Sequence, residues 1–222
     1  ELDSSPAPVF QNYSAYTSEL DQLNAGVISS DSGPERILRH FGRNPDYPER
    51  GIDQRLLAWD PPAQAVATFC HFRPVGASFE WQVLARTGNR CGPMVPAGSV
   101  DSSFGQSVAV PPPGPGEVVL VRIHGAGVHG LERLRSLVFR PKERRVQAGR
   151  GSYRLVPGTA GDGLMLRAGP GVPDASGRFS QVPRIRRLEL TGTSGDLRFD
   201  FFRMKVRPWR SAPRAAVRLP TQ

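Results

Sequence analysis

Hydrolysis of a sugar bond needs two carboxylates placed on either side of it. Asp53, Asp60, Asp162, Asp196 and Asp200 could supply them, but no pair is set off by its spacing. Asp60 stands before Pro61-Pro62 and reads as a helix N-cap. Asp162 and Asp196 adjoin glycines and read as turn residues. His40, His71, His124 and His129 show no metal-ligand spacing. His124 and His129 fit neither one face of a helix nor one face of a strand. A structural calcium ion near Asp162 is the one metal expectation, since loops of a β-sandwich can offer carboxylate and carbonyl oxygens. No serine sits in a nucleophile elbow, and Cys70 and Cys91 have no base partner. Gly169–Val172 lacks the lysine and the helix of a phosphate loop.

Two cysteines cannot build a structural zinc site, which takes four ligands. Spacing leaves two readings of Cys70 and Cys91 open: a pair of buried thiols, or a disulfide. A disulfide requires an oxidising compartment and, by restricting the unfolded chain, would contribute about 3 kcal/mol.

Aromatic side chains can bind sugars by stacking the apolar C–H face of the ring on their π-face. Trp59 and Trp209 fall in loops or near the chain end, where binding residues concentrate. With Tyr153 they carry the sugar-binding expectation. Trp81 falls in a strand and reads as core. Arg203, Arg207 and Arg210 near Trp209 serve either an anion or solubility.

The elements that must position these residues come in two styles. Residues 1–10 read as an exposed lead-in. Tyr13, Tyr16, Leu20, Leu23 and Val27 recur at helical spacing, and Asn24-Ala25-Gly26 can end that helix. Residues 36–41 read as a strand, 42–50 as loop, the segment after Asp60 as a buried helix, and Phe79–Arg86 as a strand. This order predicts a small α/β region over residues 1–92. Residues 93–116, with a PPPGPG run, read as a Pro/Gly-rich linker or long surface loop. Beyond it strands are expected at Glu117–Ile123, Arg135–Arg140, Ser152–Val156, Gly163–Arg167, Arg184–Leu190 and Leu197–Val206. Leu131–Leu137 could instead form a helical turn. Val119, Val121 and Ile123 alternate with other residues, as do Leu197, Phe199 and Phe201, so one face of each strand is buried. The predicted class is α+β, with a small N-terminal α/β layer packed on a C-terminal antiparallel β-sandwich of jelly-roll type over 117–210. Residues 211–222 read as a flexible tail.

The composition agrees with a packed protein. Of the 222 residues 38% are hydrophobic and 22% charged, which argues against wholesale disorder. The 24 glycines and 22 prolines favour short strands and turns over long helices. The formal charge of +9 raises nucleic acid as a partner. All but two of the 29 basic residues are arginines, however, scattered from Arg36 to Arg218 rather than clustered. That usage, with abundant Ala, Gly and Pro, follows from a GC-rich genome, so nucleic acid is not the expected partner. The residual alternative is an anionic partner, such as acidic lipid headgroups or charged glycans. No run of 18 apolar residues could span a bilayer as a helix. The sequence begins at Glu1 rather than methionine and reads as a piece of a longer chain.

Several phrases together resemble a known group. They are residues 51–55 (GIDQR), 59–63 (WDPPA), 81–86 (WQVLAR) with 90–92 (RCG), 153–164 (YRLVPGTAGDGL) and 197–206 (LRFDFFRMKV). Across roughly residues 10–208 the series resembles the C-terminal tails of actinobacterial multi-pass membrane proteins of the GT-C glycosyltransferase type. Mycobacterial arabinofuranosyltransferases, which build cell-wall arabinan, are its best-known members. The resemblance implies a non-catalytic domain on the extracytoplasmic side of the cell membrane, in agreement with a Cys70–Cys91 disulfide. The catalytic carboxylate would lie in the membrane-embedded part. The implied partners are a cell-wall polysaccharide or glycolipid and the membrane-embedded part of the same protein. A structural or protein-interaction module docking on that part is the alternative.

Overall fold

The computed structural model describes residues 8–9, 11–40, 50–78, 81–127, 142–149, 151–173 and 180–209. The strand expected at Arg135–Arg140, the helical alternative at Leu131–Leu137, Arg210 and the tail 211–222 lie outside these residues.

The chain is β-rich, and every described strand pairing is antiparallel. Among the described residues two α-helices and a three-stranded sheet come first. Helix α1 spans Ser18–Ser29 and α2 spans Pro62–His71. Strands β1 (Arg36–His40), β2 (Phe72–Ala77) and β3 (Trp81–Arg86) form a sheet in the order β1-β3-β2. The α/β expectation missed β2, which follows α2 directly and pairs back onto β3.

Helix α1 starts later than its apolar spacing implies, because the Thr17 hydroxyl accepts from Leu20 N–H and caps it there. It then runs through Asn24-Ala25-Gly26. Asn24 is buried and tied to Val9 through both backbone groups and to Gln64. The inward face is Asp21, Asn24, Ala25 and Ile28, while Tyr16, Leu20 and Leu23 are exposed. Asp21 accepts from the N–H groups of Ala63 (2.8 Å) and Gln64 (2.9 Å). It thereby caps α2 from a neighbouring helix, in the role expected of Asp60. Asp60 instead binds Arg55 at 2.7 Å.

Among the described residues eight strands follow, in two four-stranded sheets. Strands β5 (Ser107–Ala109), β10 (Arg187–Thr191), β7 (Arg144–Ala148) and β8 (Gly151–Leu155) form one, in that order. Strands β4 (Cys91–Ser103), β11 (Asp196–Val206), β6 (Glu117–His124) and β9 (Leu164–Ala168) form the other. The Pro/Gly-rich segment read as a linker is thus largely β4 and β5. Pro93 and Pro96 are tolerated because β4 is an edge strand, where a missing N–H breaks no inner ladder. Between Phe201 and Phe202 the β4 register slips, with Gly98 (φ +121°) and Pro96 as the partners on β4. Burial on β11 accordingly alternates through Leu197, Phe199 and Phe201, then resumes at Met204 and Val206.

One buried cluster takes side chains from both four-stranded sheets, including Leu120, Phe199 and Phe201 from one and Val146, Tyr153 and Leu190 from the other. It also includes Leu56, Trp59 and Phe69, so the N-terminal part is built into the same core. A second cluster, Ala25, Ile28, Ala63, Ala67, Phe72 and Leu84, fills the space between the helices and the small sheet. Helix α2 contributes to both. The Cys70–Cys91 disulfide joins the end of α2 to the first residue of β4.

Candidate functional site

The segment from Arg50 to Pro61 anchors the N-terminal part to the sheets and forms one wall of a cleft. Its centre is Arg55, only 1% exposed. One Arg55 amino group donates to Asp60 (2.7 Å) and to the Tyr13 carbonyl (2.7 Å), and the other to the Tyr16 hydroxyl (2.8 Å). A buried guanidinium persists only when such partners replace its water. Asp53 bonds Arg154 on β8 at 2.8 Å, and Arg55 and Arg154 form an isolated parallel bridge.

These contacts settle two of the aromatic expectations. Trp59 is 4% exposed and Tyr153 5%, so neither offers a face to a sugar. The Trp59 indole N–H donates to the Met165 carbonyl at 2.7 Å, and its ring meets Tyr153 edge-on at 6.4 Å. Burial with a satisfied N–H is the ordinary condition of a core tryptophan. Trp209 is half-buried and stacks on the Arg90 guanidinium at 3.7 Å. Arg90 lies also over Phe69, at 4.0 Å, so Trp209 closes a stack beside the disulfide.

The exposed tryptophan is Trp81, which sequence reasoning assigned to the core. It is the first residue of β3 and 42% exposed. It faces His40, its register partner at the end of β1, with ring centroids 4.7 Å apart. Both rings line a cleft of about 590 Å³, walled also by Arg50 and Asp60, by Gln64 and Thr68 of α2, and by Gln181. That volume suits a small ligand. Gln181 is the chemically informative lining residue. It is 2% exposed, and neither its amide oxygen nor its amide nitrogen has a hydrogen-bond partner among the described residues. An unmatched buried amide costs about 1–3 kcal/mol. A ligand group able both to donate and to accept would remove that penalty. A glutamine six positions before β10 carried no sequence signal; only the fold brings it to the cleft.

Asp162 lies elsewhere, against α1. Its Oδ1 accepts from the Ser18 hydroxyl and, at 3.4 Å, from Gln22. Nearby is Asp21, whose carboxyl is pushed up to about 6 by burial, against the opposing pull of the Ala63 and Gln64 N–H groups and with the help of the Asp162 carboxylate. Asp21 is fully buried, so this pair does not form the open carboxylate arrangement of a glycosidase. No group of three His, Cys, Asp or Glu side chains placed to hold a metal ion occurs among the described residues. No described helix is long and apolar enough to cross a membrane.

Comparison with protein-family models, with curated proteins and with solved structures finds no match to this chain.

Proposed function

We propose that this chain is a non-catalytic accessory domain that binds carbohydrate in the Trp81 cleft, on the extracytoplasmic side of a membrane glycosyltransferase-like protein of cell-wall glycan assembly. The observation that carries the binding role is the pairing of an exposed tryptophan with a buried, unpartnered glutamine amide in one cleft. Sugars present an apolar C–H face and hydroxyls that both donate and accept, so the two features match the two halves of one ligand. The disulfide supports an oxidising compartment. The strand orders β5-β10-β7-β8 and β4-β11-β6-β9 support a jelly-roll sandwich, an architecture that also serves lectin domains. The resemblance of the quoted phrases to glycosyltransferase tails supports the parent protein and its side of the membrane.

The test is titration with arabinan, galactan and mannan fragments, followed by tryptophan fluorescence. Saturable binding is expected for the native chain and for Trp209→Ala. Trp81→Ala, at an exposed position, abolishes it, and Gln181→Leu weakens it at least tenfold. No response to any glycan refutes the carbohydrate reading.

The second reading is a module that docks on the membrane-embedded part of its parent. Leu20 (37% exposed) and Leu23 (52%) on the outer face of α1 favour it, since adjacent exposed leucines are uncommon without a partner. A Leu20→Ser/Leu23→Ser variant that keeps glycan binding but no longer co-purifies with the parent's membrane part would establish docking as a separate role. Unchanged co-purification removes it.

A further inference from the structure

We propose that a second concavity, at the β9 edge of its sheet and separate from the Trp81 cleft, binds a phosphate group. It measures about 420 Å³ and is lined by Arg167, Arg184 and Arg186 around the turn Gly169-Pro170-Gly171.

Three observations build the site. The first is placement. Arg167 lies on β9, and the Ile185 N–H donates to the Leu166 carbonyl at 2.9 Å, so the segment carrying the other two arginines lies along that strand. Ile185 is buried, while Arg184 and Arg186 on either side of it are exposed.

The second is the absence of neutralising groups. None of the three guanidinium groups has a hydrogen-bond or carboxylate partner among the described residues. Elsewhere arginines pair readily, as Arg55, Arg154 and Arg198 do. Glu117, whose carbonyl holds the same turn, is committed to the Gly114 N–H (2.8 Å) and Lys205 (3.1 Å).

The third is rigidity. The Gly169 N–H donates to the Glu117 carbonyl and the Gly116 N–H to the Pro170 carbonyl, each at 2.8 Å. Gly171 has a φ of +79°, and a Cβ at Gly169 would stand 2.0 Å from the Gly114 oxygen. The turn is therefore pinned before any ligand arrives.

Like charges converging on a fixed concavity raise the local potential and draw in an anion. The planar guanidinium matches phosphate oxygens two at a time. The shared ligand chemistry is a phosphate mono- or diester, carried either by a soluble phosphate ester or by an anionic lipid headgroup. The site needs neither the lysine nor the helix of a phosphate loop, and it does not depend on the carbohydrate reading.

The test titrates the full chain with pyrophosphate by calorimetry and, in a second arm, sediments it with phosphatidylglycerol/phosphatidylcholine vesicles. Three proteins are compared: the native chain, Arg167→Gln/Arg184→Gln/Arg186→Gln, and a charge-matched control, Arg36→Gln/Arg122→Gln/Arg198→Gln, altered at exposed positions. The expected result is binding that falls at least tenfold in the first variant and less than threefold in the control. Loss confined to the pyrophosphate arm assigns a soluble ester, and loss in the vesicle arm assigns a headgroup; either supports the site. Equal behaviour of the two variants, or no binding by the native chain in either arm, overturns it. The double variant Arg184→Gln/Arg186→Gln replaces the triple if the triple loses its near-ultraviolet circular dichroism.

Discussion

Replacing Asp21 by asparagine should remove a specific pH dependence of stability. Asp21 is fully buried, caps α2 from α1, and feels the charge of the Asp162 carboxylate. Its carboxyl is raised from an ordinary value of 3.8 to about 6. The folded protein therefore holds this proton more tightly than the unfolded chain does. The resulting stability is complete below the unfolded value and is lost as pH rises through the folded one. At about 1.36 kcal/mol per pKa unit, the loss between pH 4.5 and 8 is about 2 kcal/mol. For a chain of this size that is roughly 4–8 °C in Tm. His71, lowered by burial and by Arg86, drives stability the other way across part of the same range. The informative quantity is thus the difference between two profiles. Urea unfolding of native and Asp21→Asn proteins, at half-unit steps from pH 4.5 to 8, measures it. The native protein should lose about 2 kcal/mol relative to the variant over that range. The asparagine keeps one acceptor for the α2 amides and gains a donor toward Asp162, whose Oδ2 is buried without a partner. At pH 8 the variant should be at least as stable as the native chain. Parallel profiles would refute the argument, because they would mean that Asp21 titrates alike in both states.

The other predictions concern the joints of the fold. Cys70→Ser/Cys91→Ser should lower unfolding stability by about 3 kcal/mol, and reductant should reproduce the loss in the native chain only, both read by denaturant melts. Arg55→Leu should cost about 3–5 kcal/mol, since it leaves Asp60 buried opposite an apolar side chain, and a double Arg55→Leu/Asp60→Leu variant should recover part of that. Trp59→Phe should cost about 1–3 kcal/mol by leaving the Met165 carbonyl unpaired, with glycan binding unchanged if Trp81 is the platform.

Local patterns were legible where one strand or helix carries its own signal. The alternation Leu197, Phe199, Phe201 located β11, and Pro61-Pro62 located the start of α2. What escaped depended on a partner. The prolines of β4 read as linker because nothing in the sequence says that the strand lies at an edge with a bulge facing β11. The apolar spacing in α1 was real, but tertiary bonds to Asp21 and Asn24 turned the other face inward. The tryptophans exchanged roles for the same reason. Trp59 in a loop is buried because the Met165 carbonyl receives its N–H. Trp81 in a strand is exposed because it opens that strand opposite the end of β1. Gln181 was illegible, since its importance lies in a missing partner.

The Cys70–Cys91 bond also decides how the chain bears tension and damage. It closes residues 71–90, the whole β2–β3 hairpin with Trp81, into a covalent ring. A proteolytic nick within the ring releases no fragment while the sulfurs stay joined. A pull along the backbone crosses the sulfur bridge and bypasses the hairpin, so the strand carrying the exposed tryptophan stays out of the load path.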